Sequence, residues 1–340
     1  MDKNKWLRIG VAILVTFLIG VFLRLARPIL VPFALALLFA FAISPALDFL
    51  VRRMVPKALA LVIILILSFA VLYLIGTVFY SGAKSLAAEL PSYTDMLRGF
   101  LERIDRLVPD PRLKLGLTEW IQSFDISQAG NFLLSALGPF LSFMSDLLLV
   151  FVFMIFILAG RGRMVKKFDE AFPPGQASAL SRTALRIDCE IKRYLAVKSL
   201  TNFLIGVLVA AVLALFGIRF AVLFGVLALL FNYVPTLGAV VAVALPTLLT
   251  LFLRGGLDLK VVVVLALLTG IHLALHRLLE PRLMAKEIGL SPLLVLFSLF
   301  FGAWLWGIPG MILAVPLLTA ARIFFENVPS LRPLGTMMDR

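Results

Sequence analysis

The chain has 340 residues, 62% of them hydrophobic and 15% charged, with a formal net charge of +13 and a mean hydropathy of +1.07. A soluble domain carries roughly a quarter of its residues as charges, so a soluble globular fold is excluded. One cysteine, Cys189, and two histidines exclude an internal disulfide and are too few for a metal cluster.

Stretches of about 18 or more nearly uncharged apolar residues read as membrane helices. They recur at 9–23, 28–47, 58–83, 139–160, 199–218, 220–253, 261–275 and 292–321. The first follows Lys3, Lys5 and Arg8, the layout of a secretory leader. Its continuation, LRLARPIL, puts arginines and a proline where a signal peptidase needs small residues, so it reads as a retained helix. With the next two runs it makes an N-terminal three-helix membrane region, 1–83.

Segment 84–131 carries six basic against seven acidic residues, net −1. Its apolar residues Leu86, Leu90, Tyr93, Leu97, Leu101 and Ile104 fall at helical spacing, which predicts an extracytoplasmic helical segment. A fourth transmembrane helix follows at 132–160. Segment 161–199 carries nine basic against four acidic residues, net +5. Basic residues flanking membrane helices stay on the cytoplasmic side, so this segment faces inward, as do Arg52, Arg53 and Lys57. Both termini are then cytoplasmic. The basic charge lies beside helix ends rather than in one stripe, which argues against nucleic acid as a partner. After PPG at 173–175, a basic amphipathic helix is expected over 178–198, of the kind that lies along lipid headgroups. Asp48 and Asp146 read as packing or interface groups.

Segment 200–325 reads as the transport core, with 326–340 a cytoplasmic tail. The apolar run 220–253 contains NYVPTLG. As one helix its 34 residues would measure about 50 Å against a hydrocarbon core of about 30 Å. Pro235 removes an N–H and drives the residue before it out of helical geometry. A re-entrant hairpin accommodates both facts. The run 292–321 repeats the pattern around GAWLWGIPG, and GAVVAV after the first break lies over GMILAV after the second. With 261–279 crossing between them, the two hairpins would enter from opposite sides. Paired broken segments of this kind point to a transporter's substrate site. The cavity-lining candidates are Asn232, Tyr233, Pro235, Thr236 and Gly238 in the first, and Trp304, Trp306, Gly307, Pro309 and Gly310 in the second. The competing reading of each break is a proline kink that only shapes packing.

The expected fold is therefore an all-α integral membrane protein with about six transmembrane helices plus two oppositely oriented re-entrant hairpins. Between those hairpins, His272, His276 and Glu280 fall at i, i+4 and i+8 with Arg277 beside them. Ionisable residues inside membrane segments are functional candidates, and histidine titrates near neutral pH. This group is the candidate for proton or ion coupling. The competing reading has Glu280 and Arg282 anchoring the cytoplasmic end, with the histidines hydrogen-bonded inside the bundle. HExxH, GxSxG and GxxxxGK[ST] are all absent from the sequence, so no enzyme, cofactor or nucleotide-driven pump is expected.

FNYVPTLGAVVAVALP, EPRLMAKEIGLSP and GIPGMILAVPLL, with IKRYLAVKSLTNFLIGV and ISPALDFLVRR, resemble the signatures of the autoinducer-2 exporter (AI-2E) family of permeases. Thr236 and Ala285 depart from them, where that family usually carries an aromatic residue and often a glycine. The resemblance implies export of small signalling molecules, with sodium(lithium)/proton antiporters among the members. It also implies homo-oligomers, pentamers among them. Three functions stay open: a gradient-driven exporter of small signals or metabolites in the inner membrane, a cation/proton antiporter, and an oligomeric scaffold that uses 84–131. The partners implied are the small-molecule or ion substrate, membrane lipids and further copies of the chain.

Overall fold

The computed structural model describes residues 3–90, 99, 126–160, 170–171, 174–234, 237–254, 256–284, 289–328 and 331–338. Among these the chain forms helices and turns and no strand element. The helices are α1 (Lys3–Leu25), α2 (Arg27–Arg52), α3 (Lys57–Glu89), α4 (Ile126–Gly160), α5 (Pro174–Leu215), α6 (Ala221–Phe231), α7 (Leu237–Arg254), α8 (Leu259–Leu273), α9 (Glu280–Met284), α10 (Pro292–Trp306), α11 (Ile308–Asn327) and α12 (Arg332–Met337). Most of the expected outer segment, including Tyr93, Leu97, Leu101 and Ile104, lies outside the described residues, as do 161–169 and 172–173.

Five helical stretches are long and apolar enough to cross a bilayer: Arg27–Arg52, Lys57–Glu89, Ser181–Leu215, Leu259–Met284 and Ile308–Asn327. Large apolar side chains stand exposed along them and their neighbours, Phe17 at 66% and Phe156 at 72% among them. Such surfaces need a lipid or protein cover. The protein is an all-α, multi-pass membrane protein. Four of the five stretches coincide with expected spans. The fifth, α11, is the second arm of the second broken segment. Two more expected spans belong to α1 and α4, whose apolar stretches Ile13–Leu25 and Met144–Gly160 are shorter.

The described chain divides into two compact units. The first comprises Met1–Ile66, Asp146–Ala196 and Lys286–Arg340. In it α10 and α11 fold back on each other at Gly307, whose backbone (φ 69°, ψ −143°) suits glycine alone. Gly302 and Gly310 meet where the arms cross, and a Cβ on Gly302 would sit 2.5 Å from the Gly310 carbonyl oxygen. The indole N–H of Trp306 donates to Leu23 O at 3.1 Å, and Arg24 stacks over the Trp304 ring at 5.6 Å, a cation–π distance. Glu326, near the end of α11, receives Arg322 at 2.8 Å and Arg186 at 3.4 Å.

The second unit comprises Leu67–Ser145 and Val197–Ala285. Its core gathers Ile205, Val209 and Leu213 from α5, Leu223, Phe224 and Ala228 from α6, Ala242 and Leu249 from α7, Val264 and Leu268 from α8, and Leu86 from α3. The α5 residues recur four apart and form one stripe. Helix α5 stops at Gly217 (φ 64°), with Ile218 N donating to Leu213 O and Gly217 N to Ala214 O. That pair of bonds is a Schellman cap, and it leaves Leu213 and Ile218 in the core. Gly206 on α5 meets Gly225 on α6, and a Cβ on either would lie within 2.8 Å of the other's carbonyl oxygen.

The basic helix expected over 178–198 does not end there. It continues without a break as α5, 42 residues long, which is about 63 Å. Nothing separates an amphipathic stretch from the span that follows it.

A buried polar network beside the first hairpin

Two local features of the second unit position its polar groups. The first is the turn between α6 and α7. It contains Asn232 and Tyr233, and it is tight because Gly238 lies against the Phe231 carbonyl and the Asn232 Cα. No side chain fits between them. Pro235 and Thr236 lie outside the described residues.

The second feature is a π-helical turn, Ala274–Leu279, joining α8 to α9. In an α-helix four residues overshoot a full turn by about 40°. The wider i→i+5 turn takes more residues per revolution, so it cancels part of the drift that would carry Glu280 away from the face of His272.

On this frame the histidine–glutamate ladder is bonded as follows. Asn232 Nδ2 lies 3.3 Å from His272 Nε2, and His272 Nδ1 lies 2.9 Å from Leu268 O. An amide nitrogen donates and a carbonyl accepts, so His272 is the neutral tautomer with its proton on Nδ1. His276 Nδ1 donates to Glu280 Oε2 at 2.6 Å. The ring centroids of His272 and His276 stand 6.0 Å apart, and both His272 nitrogens are already engaged, so the two rings pack without a hydrogen bond between them. Lys198 on α5 donates to both Glu280 oxygens, at 3.1 and 3.3 Å. The side chains of Lys198 and Glu280 are 7% and 14% exposed.

The same edge of α5 holds the turn. Ser199 Oγ and Tyr233 Oη share a 2.8 Å hydrogen bond. With its amide oriented to satisfy its neighbours, Asn202 accepts from Tyr233 N at 3.2 Å and donates to Lys198 O at 3.3 Å. Asn202 and Thr201 are fully buried, and Asn232 and His272 nearly so.

Of the candidates read from the sequence, Asn232, Tyr233, His272, His276 and Glu280 thus come together in one network, with Gly238 closing the turn behind them. Arg277 is exposed and takes no part in these bonds. Trp304, Trp306, Gly307, Pro309 and Gly310 belong to the other unit. There Trp306 and Gly310 are buried, while Trp304 faces outward. Asp48 and Asp146 are exposed. The residues that sequence reasoning missed are Lys198, Ser199 and Asn202. Their signal was KSLTN, a lysine and an amide four apart at the mouth of an apolar helix, on the stripe that Ile205 and Val209 continue.

A buried polar network in a multi-pass protein, set against a helix broken within its apolar run, is the pattern of a solute carrier. The model of one such family, described as the AI-2E family transporter, matches residues 11–330. The chain belongs to the AI-2E transporter family. Among AI-2E relatives, a Haemophilus influenzae protein named only in general terms as a transport protein is 31% identical, over 95% of this chain and 92% of its own length. The AI-2 transport protein TqsA of Escherichia coli K12 is 30% identical, over 97% and 94%. A protein of Halobacillus andaensis named a sodium-lithium/proton antiporter is 25% identical, over 94% of each.

Proposed function

We propose that the protein is a secondary transporter of the inner membrane that exports small polar or amphiphilic signalling molecules or metabolites. A proton gradient drives it, and the coupling path is Asn232–His272–His276–Glu280. One observation carries this reading: a largely buried titratable chain in which Asn232 bonds His272, His276 bonds Glu280 and the two imidazole rings pack against each other, attached to the turn of a broken helix. In its neutral tautomer His272 accepts from Asn232. Protonating Nε2 requires the Asn232 amide to turn over and offer its oxygen, so a proton on the ladder reverses the amide that the turn presents. That is the link coupled transport requires.

The proposed arrangement keeps both termini cytoplasmic, with segment 84–131 outside, 161–199 inside, and the two hairpins entering from opposite faces. Single cysteines at Gly255 and Glu287, in a Cys189→Ser background, then label from outside and inside respectively. Labelling of both from one side removes the inverted arrangement.

Transport itself is tested in proteoliposomes, with and without an imposed proton gradient. If protons move through this network, wild-type rates depend on pH. His272→Gln and Glu280→Gln flatten that profile while leaving assembled protein in the membrane. An unchanged profile at full rate removes the network from the coupling path. The relative named for sodium-lithium/proton antiport supports a second reading, in which the ion is itself the cargo.

A further inference from the structure

The ion pair between Lys198 and Glu280 bears on which ion the network accepts. The two residues are 82 positions apart in sequence and come from different helices. The ammonium sits astride the carboxylate, 3.1 Å from Oε1 and 3.3 Å from Oε2, and His276 takes Oε2 from another side at 2.6 Å. A sodium or lithium ion seeking this carboxylate needs the same two oxygens and the same sheltered position. Lys198 is therefore a tethered monovalent cation already in that place.

The charges agree. Glu280 contributes −1 and Lys198 +1. His272 is neutral by its tautomer, Tyr233 is a phenol bonded to Ser199, and Arg277 is exposed and outside the bonds. With His276 as a neutral donor to Glu280, the group is balanced. A second cation at Glu280 would lie within contact distance of the ammonium, where burial removes most of the solvent screening. A proton differs in kind. It needs no shell of oxygen ligands, and it can enter on an imidazole nitrogen while Lys198 keeps its seat.

We propose that Lys198 excludes alkali cations from Glu280 and leaves the proton as the ion this network accepts. The proposal rests on the reading of the network as a coupling path, but exclusion is a binding property and is measured without transport. Intact protein in detergent is melted in sodium, lithium or choline chloride at matched ionic strength. The wild type and Lys198→Arg melt alike in all three. Lys198→Met keeps the apolar stem and frees the carboxylate. Sodium or lithium then raises its melting temperature saturably, by about 2–4 °C over choline. The double variant Lys198→Met/Glu280→Gln loses that rise.

Two outcomes overturn the proposal. One is saturable stabilisation of the wild type by sodium or lithium that Glu280→Gln abolishes. The other is a folded Lys198→Met variant that is indifferent to both ions. Should Lys198→Met fail to fold, the wild type and Lys198→Arg decide: cation-specific, Glu280-dependent stabilisation of either refutes exclusion, and indifference of both upholds it. Full pH-dependent transport by Glu280→Gln would remove the coupling path and leave these melting comparisons standing.

Discussion

Between residues 221 and 254 the chain turns back at Asn232 and Tyr233; between 292 and 327 it turns back at Gly307. Both segments run from a short arm to a longer one, 11 then 18 residues in the first and 15 then 20 in the second. In each the long arm carries an interior proline, Pro246 or Pro316. Each places a glycine where a Cβ would strike the opposing backbone, Gly238 against Phe231 and Gly310 against Gly302. What differs is the chemistry at the turn. The first offers an amide and a phenol, both engaged by groups on other helices. The second offers two indoles and one glycine, with a single indole bond to a helix end. Like backbones with unlike side chains separate the geometric role, present in both segments, from the polar role, present in one.

The largest effects are expected where the segments agree. Gly238→Leu and Gly310→Leu each force a side chain into backbone that cannot yield, a cost at or beyond the roughly 1–3 kcal/mol typical of overpacking. Both abolish transport in proteoliposomes while still inserting, because apolar content is not reduced. Wild-type transport by one and none by the other would show that the shared shape has a shared use in only one segment.

Next by effect on transport, though not by stability, is Glu280→Gln, which acts on the first segment alone. It leaves Lys198 buried without its counter-charge, a loss of about 3–5 kcal/mol. Lys198→Met in addition recovers much of it, and thermal melting of the four proteins measures the coupling. Additive losses would mean that the pair is not a unit. Smaller again is Asn232→Ala, which removes an amide without redirecting the backbone. Apparent substrate affinity falls, by about tenfold at most for a single hydrogen bond, and proton coupling weakens because His272 loses its partner at the turn. A lost maximal rate with unchanged affinity would make Asn232 part of the conformational step instead. The smallest effect on function belongs to Trp306→Phe. It gives up one hydrogen bond, about 0.5–1.5 kcal/mol, seen as a lower melting temperature with pH profile and affinity intact. A shifted pH profile in that variant would erase the division of roles between the two segments.

Much of this was legible in the sequence, because apolar runs, prolines and i, i+4, i+8 spacing are local signals. The breaks at NYVPTLG and GIPG and the face shared by His272, His276 and Glu280 all follow from a short window. Three features did not. The Lys198–Glu280 pair joins residues that no periodicity relates. The π turn at Ala274–Leu279 has no composition of its own, since ALHRLL suits an α-helix equally well. The unequal arms depend on where each break falls within its run. For the second segment that point is Gly307, so α11 has 20 residues, about 30 Å and the thickness of a hydrocarbon core. A half-helix was expected there. Pro235 and Thr236, central to the sequence argument, lie outside the described residues.

The bond from Trp306 to Leu23 carries a consequence in time. Leu23 O belongs to the last turn of α1, where backbone carbonyls have no partner within the helix, and its donor is synthesised 283 residues later. At about 5–20 residues per second, the nascent chain carries α1 for roughly 15–60 s before the indole exists. Whatever holds the end of α1 during that interval, whether the insertion machinery, lipid headgroups or water, is displaced when the second hairpin arrives. Completion of the amino-terminal corner is therefore one of the last events in the biogenesis of the protein, and truncation before residue 306 leaves that corner open.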